Sequence, residues 1–417
     1  MSAAKNQSSK RDSTKTPPDH RRWSHALFFL LGILVAAGVH GAFSHNAFGW
    51  FDTRTVPARA GSGQSGPWGE LVYTPLKLER PQESLDGPVP DPKPTLWRFY
   101  NFTQAQLEEF LQKTELTLPQ RQLLVETNRW RALTNGWAIS PPLEVVRDMS
   151  PAARKSIYAA LRNDPLNHYI QTPLRMPAEK LESWLDDCQL PEARKALLRS
   201  LMVIEGNLAC FYDGLLMEWL CSPEEKKHLA RAISQCEGLL VKLQITPRAD
   251  MEALARYWAP GSRRHSMKPF LESLGRVPEG VKVSVSFFFP TFARMRLYTY
   301  PDARNPLAER KDCFYTAMNF FNETPDARFF NPAAIQAALR SEYTPVKTNW
   351  SFGDVLMLKD NASMAIHMCV YIADDVVFTK NGASLVAPWT LMKLPEMLKV
   401  YQPEQPIVLV GYRKKAI

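Results

Sequence analysis

The first marked pattern along the chain is an uninterrupted apolar run, ALFFLLGILVAAGV, over residues 26–39. Gly38–Phe43 extends this run, with His40 as its only polar residue. A charge-free apolar run near the N-terminus, flanked by basic residues, is typical of a membrane segment. We therefore predict a membrane segment over residues 24–44, with a buried core helix as the alternative.

Positive charge before a membrane segment favours a cytoplasmic N-terminus. Residues 1–23 are accordingly predicted to form a basic cytoplasmic tail, and the chain after residue 44 to lie on the extracytoplasmic side of the inner membrane. The short apolar run also suits a cleaved signal peptide, which would give a secreted protein, while the long polar stretch before it favours a single-pass anchor. Both interpretations export the rest of the chain.

Residues 45–95 are rich in Gly, Pro and Ser, as in Ala60–Gly66 and Gly87–Pro94, and they show little helical or strand periodicity. Composition of this kind is typical of a linker. We predict a tether between the membrane segment and a folded region.

Apolar residues then recur at helical spacing, accompanied by helix-start signals. Thr103 and Gln106 form a T-x-x-Q capping box, and Ser150 and Ser222 each place a capping hydroxyl directly before a proline. These signals predict a helical domain of unknown role over residues 96–278.

Met176-Pro177 predicts a further helix start, with the helix continuing through Leu185. This region contains no Gly-rich phosphate loop and no H-E-x-x-H motif. Its tryptophans and cysteines are interpreted as core residues.

Near residue 280 the period changes, because valines and Phe287 alternate with polar residues from Val281 onward, as a half-buried strand requires. Arg294–Tyr300 is predicted as a second short extended segment. A new domain is therefore expected over residues 279–417, which makes the fold class α+β.

Asp312 is placed to cap a helix that carries Cys313 in its first turn. The partial positive charge and free N–H groups of a helix N-terminus lower the pKa of a thiol and can hold an oxyanion. Cys313 is therefore a candidate nucleophile.

Downstream apolar segments predict an antiparallel sheet in which His367 lies at the start of a strand. The next strand returns after a tight turn, so a side chain near Thr379–Asn381 is expected to face His367 across the pair. The predicted strands are Val355–Leu358, Ile366–Ile372 and Val376–Thr379.

Charge and cysteine content narrow the classes of function. The net charge is +9, and residues 1–25 alone hold six basic residues against Asp12 and Asp19, so the remainder is too diffuse to predict nucleic-acid binding. The six cysteines form no C-x-x-C pair, and no spacing implies a metal or an organic cofactor. Oligomeric state stays open.

Three elements in order resemble the NlpC-type cell-wall cysteine peptidases of the papain-like superfamily. They are Asp312-Cys313 opening a helix, Gly353-Asp354 before a strand, and a strand of the form H-x-x-x-Y-I that begins at His367. The resemblance covers residues 298–381, and it implies a papain-like domain over residues 279–417.

The resemblance implies catalytic roles for particular residues. Cys313 would be the nucleophile, His367 the general base, and Tyr300 an oxyanion contributor, with Tyr298 as its close competitor. The family's third catalytic position falls on Thr379. Asn381 lies on the same face of the strand and has a carbonyl that can orient an imidazole, so Asn381 is the preferred candidate.

The function expected from the resemblance is a membrane-anchored, exported cysteine hydrolase that cleaves amide bonds in peptidoglycan stem peptides. Two alternatives remain. A neighbouring branch of the superfamily hydrolyses or transfers acyl groups on lipids. The family's Ser-Gly after the cysteine is replaced here by Phe314-Tyr315, which favours an inactive binding or scaffold module.

Overall fold

The computed structural model describes residues 61–415 apart from residues 64, 82–94, 168–169, 171–172, 303, 306 and 402–406. The predicted tail and the predicted membrane segment lie outside these residues. Within the described part of the chain, no helix combines the length and the apolar character needed to cross a bilayer.

The described chain is a mixed α and β protein. Its helices are α1 Gln104–Lys113, α2 Leu118–Leu124, α3 Leu143–Asp148, α4 Pro151–Leu161, α5 Leu181–Asp187, α6 Glu192–Leu201, α7 Gly214–Leu220, α8 Pro223–Ser234, α9 Met251–Trp258, α10 Arg263–Gly275, α11 Thr291–Arg296, α12 Cys313–Met318, α13 Pro332–Glu342 and α14 Leu394–Tyr401.

Its strands form four separate antiparallel sheets. They are β1 Gly61–Ser62, β2 Glu70–Leu78, β3 Trp97–Tyr100, β4 Trp130–Leu133, β5 Gly136–Ile139, β6 Leu174–Pro177, β7 Val203–Glu205, β8 Leu208–Phe211, β9 Cys236–Ile245, β10 Val281–Ser284, β11 Tyr343–Val346, β12 Val355–Lys359, β13 Ala365–Ala373, β14 Val376–Lys380, β15 Trp389–Lys393 and β16 Val408–Lys414.

The predicted helix starts are confirmed where a capping side chain is present. Thr103 caps α1 in a reciprocal box with Gln106, and Ser222 caps α8 in the same way with Glu225. Ser150 accepts the N–H of Ala153 at the start of α4. In each case the hydroxyl satisfies a backbone donor that the helix itself leaves unpaired.

The periodicity predicts a helical middle region, but the structure shows that this region is not purely helical. It also contains two three-stranded sheets, ordered β3-β5-β4 and β6-β8-β7. Met176-Pro177 ends strand β6, and helical structure begins directly after Pro177 as a 3₁₀ turn over Ala178–Lys180 that leads into α5.

The prediction of a tether over residues 45–95 is wrong for β2. This nine-residue strand pairs along its whole length with β9, in a sheet ordered β1-β2-β9-β10. Leu71 and Tyr73 of β2 are buried in the same core as the C-terminal sheet. The apolar contacts of this core hold the strand in place despite its weak sequence signal.

Two predictions near residue 280 need correction. The strand ends at Ser284, whose hydroxyl accepts the N–H of Ser286 and opens a 3₁₀ turn over Val285–Phe288. Residues 294–296, the start of the segment Arg294–Tyr300 that was predicted as extended, lie in helix α11, which covers Thr291–Arg296. Good helix formers such as Arg294 and Met295 outweigh the aromatic residues that follow them.

The C-terminal region is built on a six-stranded sheet ordered β11-β16-β12-β13-β14-β15. Helix α12 packs on β13 and β14. A second apolar core packs on the other side, with Leu356 and Leu358 of β12 against Leu394 and Met397 of α14. The sheet therefore separates the helix that carries Cys313 from the chain's last helix.

Candidate functional site

Cys313 is the first residue of helix α12, as predicted. The Asp312 carboxylate accepts the N–H of Tyr315 at 2.8 Å, and the Asp312 carbonyl accepts the N–H of Thr316 at 3.0 Å. Aspartate is a favoured N-cap because its carboxylate satisfies these donors and complements the helix dipole. The cap fixes the position of the Cys313 backbone.

The thiol of Cys313 is buried, with 4% of the residue exposed. The pKa of this thiol is raised to about 12, mainly by burial and also by the Asp312 carboxylate, while the backbone N–H groups of Met368 and Phe314 act in the opposite direction. The expected lowering by the helix N-terminus is therefore outweighed by desolvation. Cys313 is a neutral thiol in this structure.

His367 lies on β13 opposite Leu358 of β12 and is fully buried. Its Nε2 lies 2.9 Å from Oγ1 of Thr379, as the hairpin pattern predicted. The Thr379 hydroxyl donates its own hydrogen to Oδ1 of Asn381 at 3.2 Å, so it must accept from Nε2–H. This places the imidazole proton on Nε2 and the lone pair on Nδ1.

Nδ1 of His367 is buried and has no hydrogen-bond partner among the described residues. Burial lowers the pKa of the imidazole to about 3, so the ring is neutral near pH 7. Buried polar atoms are usually satisfied, and an unpaired one calls for an explanation. An unpaired Nδ1 lone pair is the feature a general base requires.

Cys313 and His367 share two neighbours. The N–H of Met368, the residue after His367, interacts with the Cys313 thiol. Tyr401 stacks on the His367 ring, with ring centroids 4.2 Å apart, and its hydroxyl interacts electrostatically with Cys313. The cross-strand pairing places the His367 side chain with Leu358 on the α14 face of the sheet, whereas helix α12 packs with Met368 on the opposite face. Tyr401 and the N–H of Met368 are therefore what connects the two predicted catalytic residues.

The local geometry of the sheet explains how helix α12 comes close to His367 and Met368 of β13. The pairing of β13 with β14 runs from Val370–Phe378 to Ala373–Val376. His367 and Met368 lie beyond that ladder, where β13 keeps β12 as its neighbour. Cys313, the first residue of α12, interacts with the backbone N–H of Met368 in this part of β13.

Lys380 is a buried cation at the same end of β14. Its Nζ donates to the carbonyls of Gly382 at 2.7 Å and Ser384 at 2.9 Å. Burial lowers the pKa of Lys380 to about 8, while Cys313 and Asp312 act in the opposite direction. The ammonium group therefore lies within electrostatic range of the thiol and favours its ionised form.

Tyr300 and Tyr298, the predicted oxyanion contributors, donate their hydroxyl hydrogens elsewhere. Tyr300 donates to the Ser234 carbonyl at 2.6 Å, and Tyr298 donates to the Leu239 carbonyl at 2.5 Å. Both hydroxyls bind the segment that leads from α8 into β9. In this arrangement they support packing, and the catalytic role of Tyr300 stays a prediction.

The Gly353-Asp354 pair has a structural explanation. Gly353 adopts a φ of +90°, and a Cβ there would lie 2.1 Å from the Phe321 ring. The buried Asp354 carboxylate accepts the Ser351 N–H at 2.8 Å and pairs with Arg413 at 2.6 Å. This pair fixes the entry into β12, which in turn supports the strand of His367.

Sequence reasoning did not identify Tyr401 and assigned Lys380 only to the opposite face of its strand. A lysine that ends the apolar strand VVFTK was a signal, because a charged residue at a buried position needs a reason. Tyr401 had no comparable signal, since its contact depends on the packing of α14. Among the described residues, no cluster of three or more His, Cys, Asp or Glu side chains could hold a metal ion.

Comparison with protein-family models, with curated proteins and with solved structures finds no match to this chain. The geometry of the site is therefore the basis for the function proposed below.

Proposed function

We propose that this protein is a cysteine hydrolase whose C-terminal region is a papain-like domain resembling the NlpC-type peptidases. One observation carries the proposal: Nε2 of His367 is held by Thr379 while Nδ1 is unpaired, and the backbone N–H of the next residue, Met368, interacts with the Cys313 thiol. A histidine oriented through one nitrogen and free at the other is the arrangement of Cys-His-Asn sites. Thr379 and Asn381 would together supply the third position.

In the proposed reaction, the Cys313 sulfur attacks an amide carbonyl carbon while Nδ1 of His367 accepts the thiol proton. The C–N bond then breaks, and the imidazolium returns that proton to the leaving amine. Water attacks the thioester with His367 again as base, which releases the carboxylic acid and restores the thiol.

The timing of proton transfer follows from the neutral state of both groups. A thiol with a pKa of about 12 and an imidazole with a pKa of about 3 do not form an ion pair before substrate binds. His367 would therefore act as general base during attack. The Lys380 ammonium group would stabilise the developing thiolate.

The substrate class rests on the resemblance and on the predicted export of the chain. A single-pass anchor over residues 24–44 would hold the enzyme outside the inner membrane, where peptidoglycan stem peptides are the abundant amide substrate. Cleavage of the predicted segment would instead release a secreted enzyme with the same chemistry. Lipid acyl transfer uses the same Cys-His pair and is the alternative reaction.

The inactive binding module also has an observation in its favour, because Cys313 is only 4% exposed and its pKa is raised. An active enzyme must therefore expose the sulfur when substrate binds. The two readings differ in whether Cys313 ever forms a covalent acyl intermediate.

The test is hydrolysis of purified peptidoglycan fragments by the full chain in detergent, compared with Cys313→Ala and His367→Ala. We expect both variants to lose at least about 1000-fold in kcat/KM. Cys236→Ala is the control, because Cys236 is a partly buried thiol in a different sheet. Fluorogenic acyl-lipid substrates are assayed in parallel.

The outcomes separate the candidates. Amide cleavage that depends on Cys313 supports the peptidase, and ester cleavage of lipid alone supports the acyl branch. Peptidoglycan binding with no covalent intermediate and no difference between Cys313→Ala and wild type rejects catalysis.

A further inference from the structure

Tyr401, the last residue of α14, lies against the His367 imidazole. The two ring planes are 22° apart and their centroids are 4.2 Å apart. This is a close stacked contact, and stacked aromatic rings attract each other. Among the described residues, Tyr401 is the aromatic side chain that contacts the His367 ring.

A single hydrogen bond does not fix an imidazole. The Nε2 bond to Thr379 fixes the direction of one nitrogen, but the ring can still tilt about the line that joins the two atoms. A stacked ring prevents this tilt, because the imidazole would have to leave the contact. The hydrogen bond and the stack together determine where Nδ1 points.

Helix α14 is itself attached to the strands that carry the site. The Leu394 N–H donates to the Asp375 carbonyl at 2.6 Å, in the turn between β13 and β14. Leu394 and Met397 pack in the apolar core on the α14 side of the sheet. Tyr401 is therefore held relative to the same hairpin that carries His367 and Thr379.

The Tyr401 hydroxyl lies toward the sulfur atoms of the site. Burial raises its pKa, and the electrostatic effects of Cys313 and Cys369 raise it further. The side chain thus spans from the face of the base to the neighbourhood of the nucleophile.

We propose that Tyr401 is a positioning residue of the site, whose stacked ring fixes the orientation of the His367 imidazole and thereby the direction of its unpaired Nδ1. This inference rests on the proposed function for its catalytic meaning. The packing role of the ring is testable without any substrate.

The test compares Tyr401→Phe, which keeps the stacked ring, with Tyr401→Leu, which removes it. The first readout is the pKa of His367, which is measured from the pH dependence of the imidazole C–H signals in NMR spectra of the full chain. With Phe we expect the pKa to stay far below 6.5, as in the wild type. With Leu, water reaches the ring and the pKa rises toward 6.5.

The second readout is the split between kcat and KM on the amide substrate. Misorientation of a general base lowers kcat, so Tyr401→Leu is expected to lose about 10- to 100-fold in kcat with little change in KM. Tyr401→Phe is expected to stay within about threefold of wild type. Tyr343→Leu, at a buried tyrosine of β11, controls for general loosening of the core.

Either of two results overturns the proposal: an unchanged His367 pKa in Tyr401→Leu, or losses in Tyr401→Phe that equal those in Tyr401→Leu. If Tyr401→Leu does not fold, Tyr401→Met replaces it, and the Phe variant still tests the requirement for a ring. Failure of the proposed function would appear differently, as no activity in the wild type together with the predicted pKa change.

Discussion

The buried Arg154 of the middle region and the buried His367 of the C-terminal sheet differ in whether their polar atoms are paired. Arg154 is fully buried, and its Nη1 pairs with Asp213 at 2.6 Å. Asp213 also accepts the hydroxyl of Tyr158, and Nη2 of Arg154 donates to the Val146 carbonyl. A positive charge and a negative charge compensate each other within this cluster.

His367 faces no such compensation. Its pKa is lowered by burial alone, and Nδ1 has no partner among the described residues. A buried group with a paired charge stabilises one conformation of the fold, whereas a buried group with an unpaired lone pair retains reactivity. The polar cluster of the middle region is thus internally paired, whereas the imidazole of the C-terminal sheet keeps the unpaired nitrogen that the proposed reaction requires.

The largest effect on stability is expected from Arg154→Met. This change leaves the Asp213 carboxylate buried without its cation, so the free energy of unfolding should fall by about 3–5 kcal/mol. Urea unfolding followed by tryptophan fluorescence measures the change. The double variant Arg154→Met/Asp213→Leu should recover part of the loss, and a single variant within about 1 kcal/mol of wild type would show that the pair is not structural.

The next effect depends on pH. His367 has a pKa of about 3 in the folded chain and an ordinary value of 6.5. Above pH 6.5 the ring is neutral in both states and contributes no pH dependence. Between pH 6.5 and pH 3 the unfolded chain binds a proton that the folded chain does not, so stability falls by roughly 1 kcal/mol per pH unit.

This acid sensitivity is measured by comparing unfolding curves of wild type and His367→Gln from pH 7 to pH 4. His367→Gln should lose the part of the pH dependence of the free energy of unfolding that comes from the imidazole. His265→Gln is the matched control, since His265 is exposed. Equal slopes in wild type and His367→Gln would mean that the imidazole is not desolvated.

The smallest effect is expected from Thr379→Val. The valine leaves Nε2–H of His367 without its acceptor in a buried site, which costs about 1–2 kcal/mol of stability. Thr379→Ser keeps the hydroxyl and should remain close to wild type. Thermal unfolding of both variants checks this prediction, which would be contradicted if Ser and Val behaved alike.

Local signals were the ones that sequence reasoning could use. The helix caps at Thr103, Ser150 and Ser222 and the cap at Asp312 involve residues within a few positions of one another. The β13–β14 hairpin is also local, so strand alternation was sufficient to predict that a side chain near Thr379–Asn381 would face His367, and that side chain is Thr379. The Asn381 preference was less accurate, because Asn381 contacts Thr379 rather than the imidazole.

Signals that depend on distant partners were missed. Strand β2 lies in a Gly- and Pro-rich stretch, and its partner β9 is more than 150 residues away in the chain. No local pattern could distinguish it from a linker. The stack of Tyr401 on His367 likewise exists only because α14 packs back on the sheet, and the pKa of Cys313 depends on burial that a helix cap does not reveal.

The pairing of β2 with β9 has a practical consequence for anyone who wishes to study the C-terminal region alone. A fragment cut at the predicted boundary, residues 279–417, would lack Leu239, Leu243 and Trp258, which share one apolar core with the six-stranded sheet. It would also lose the Tyr257 hydroxyl bound to the Ile372 carbonyl at 2.8 Å. Because truncation is tolerated only where little backbone and apolar surface is uncovered, a workable expression fragment must begin before residue 61.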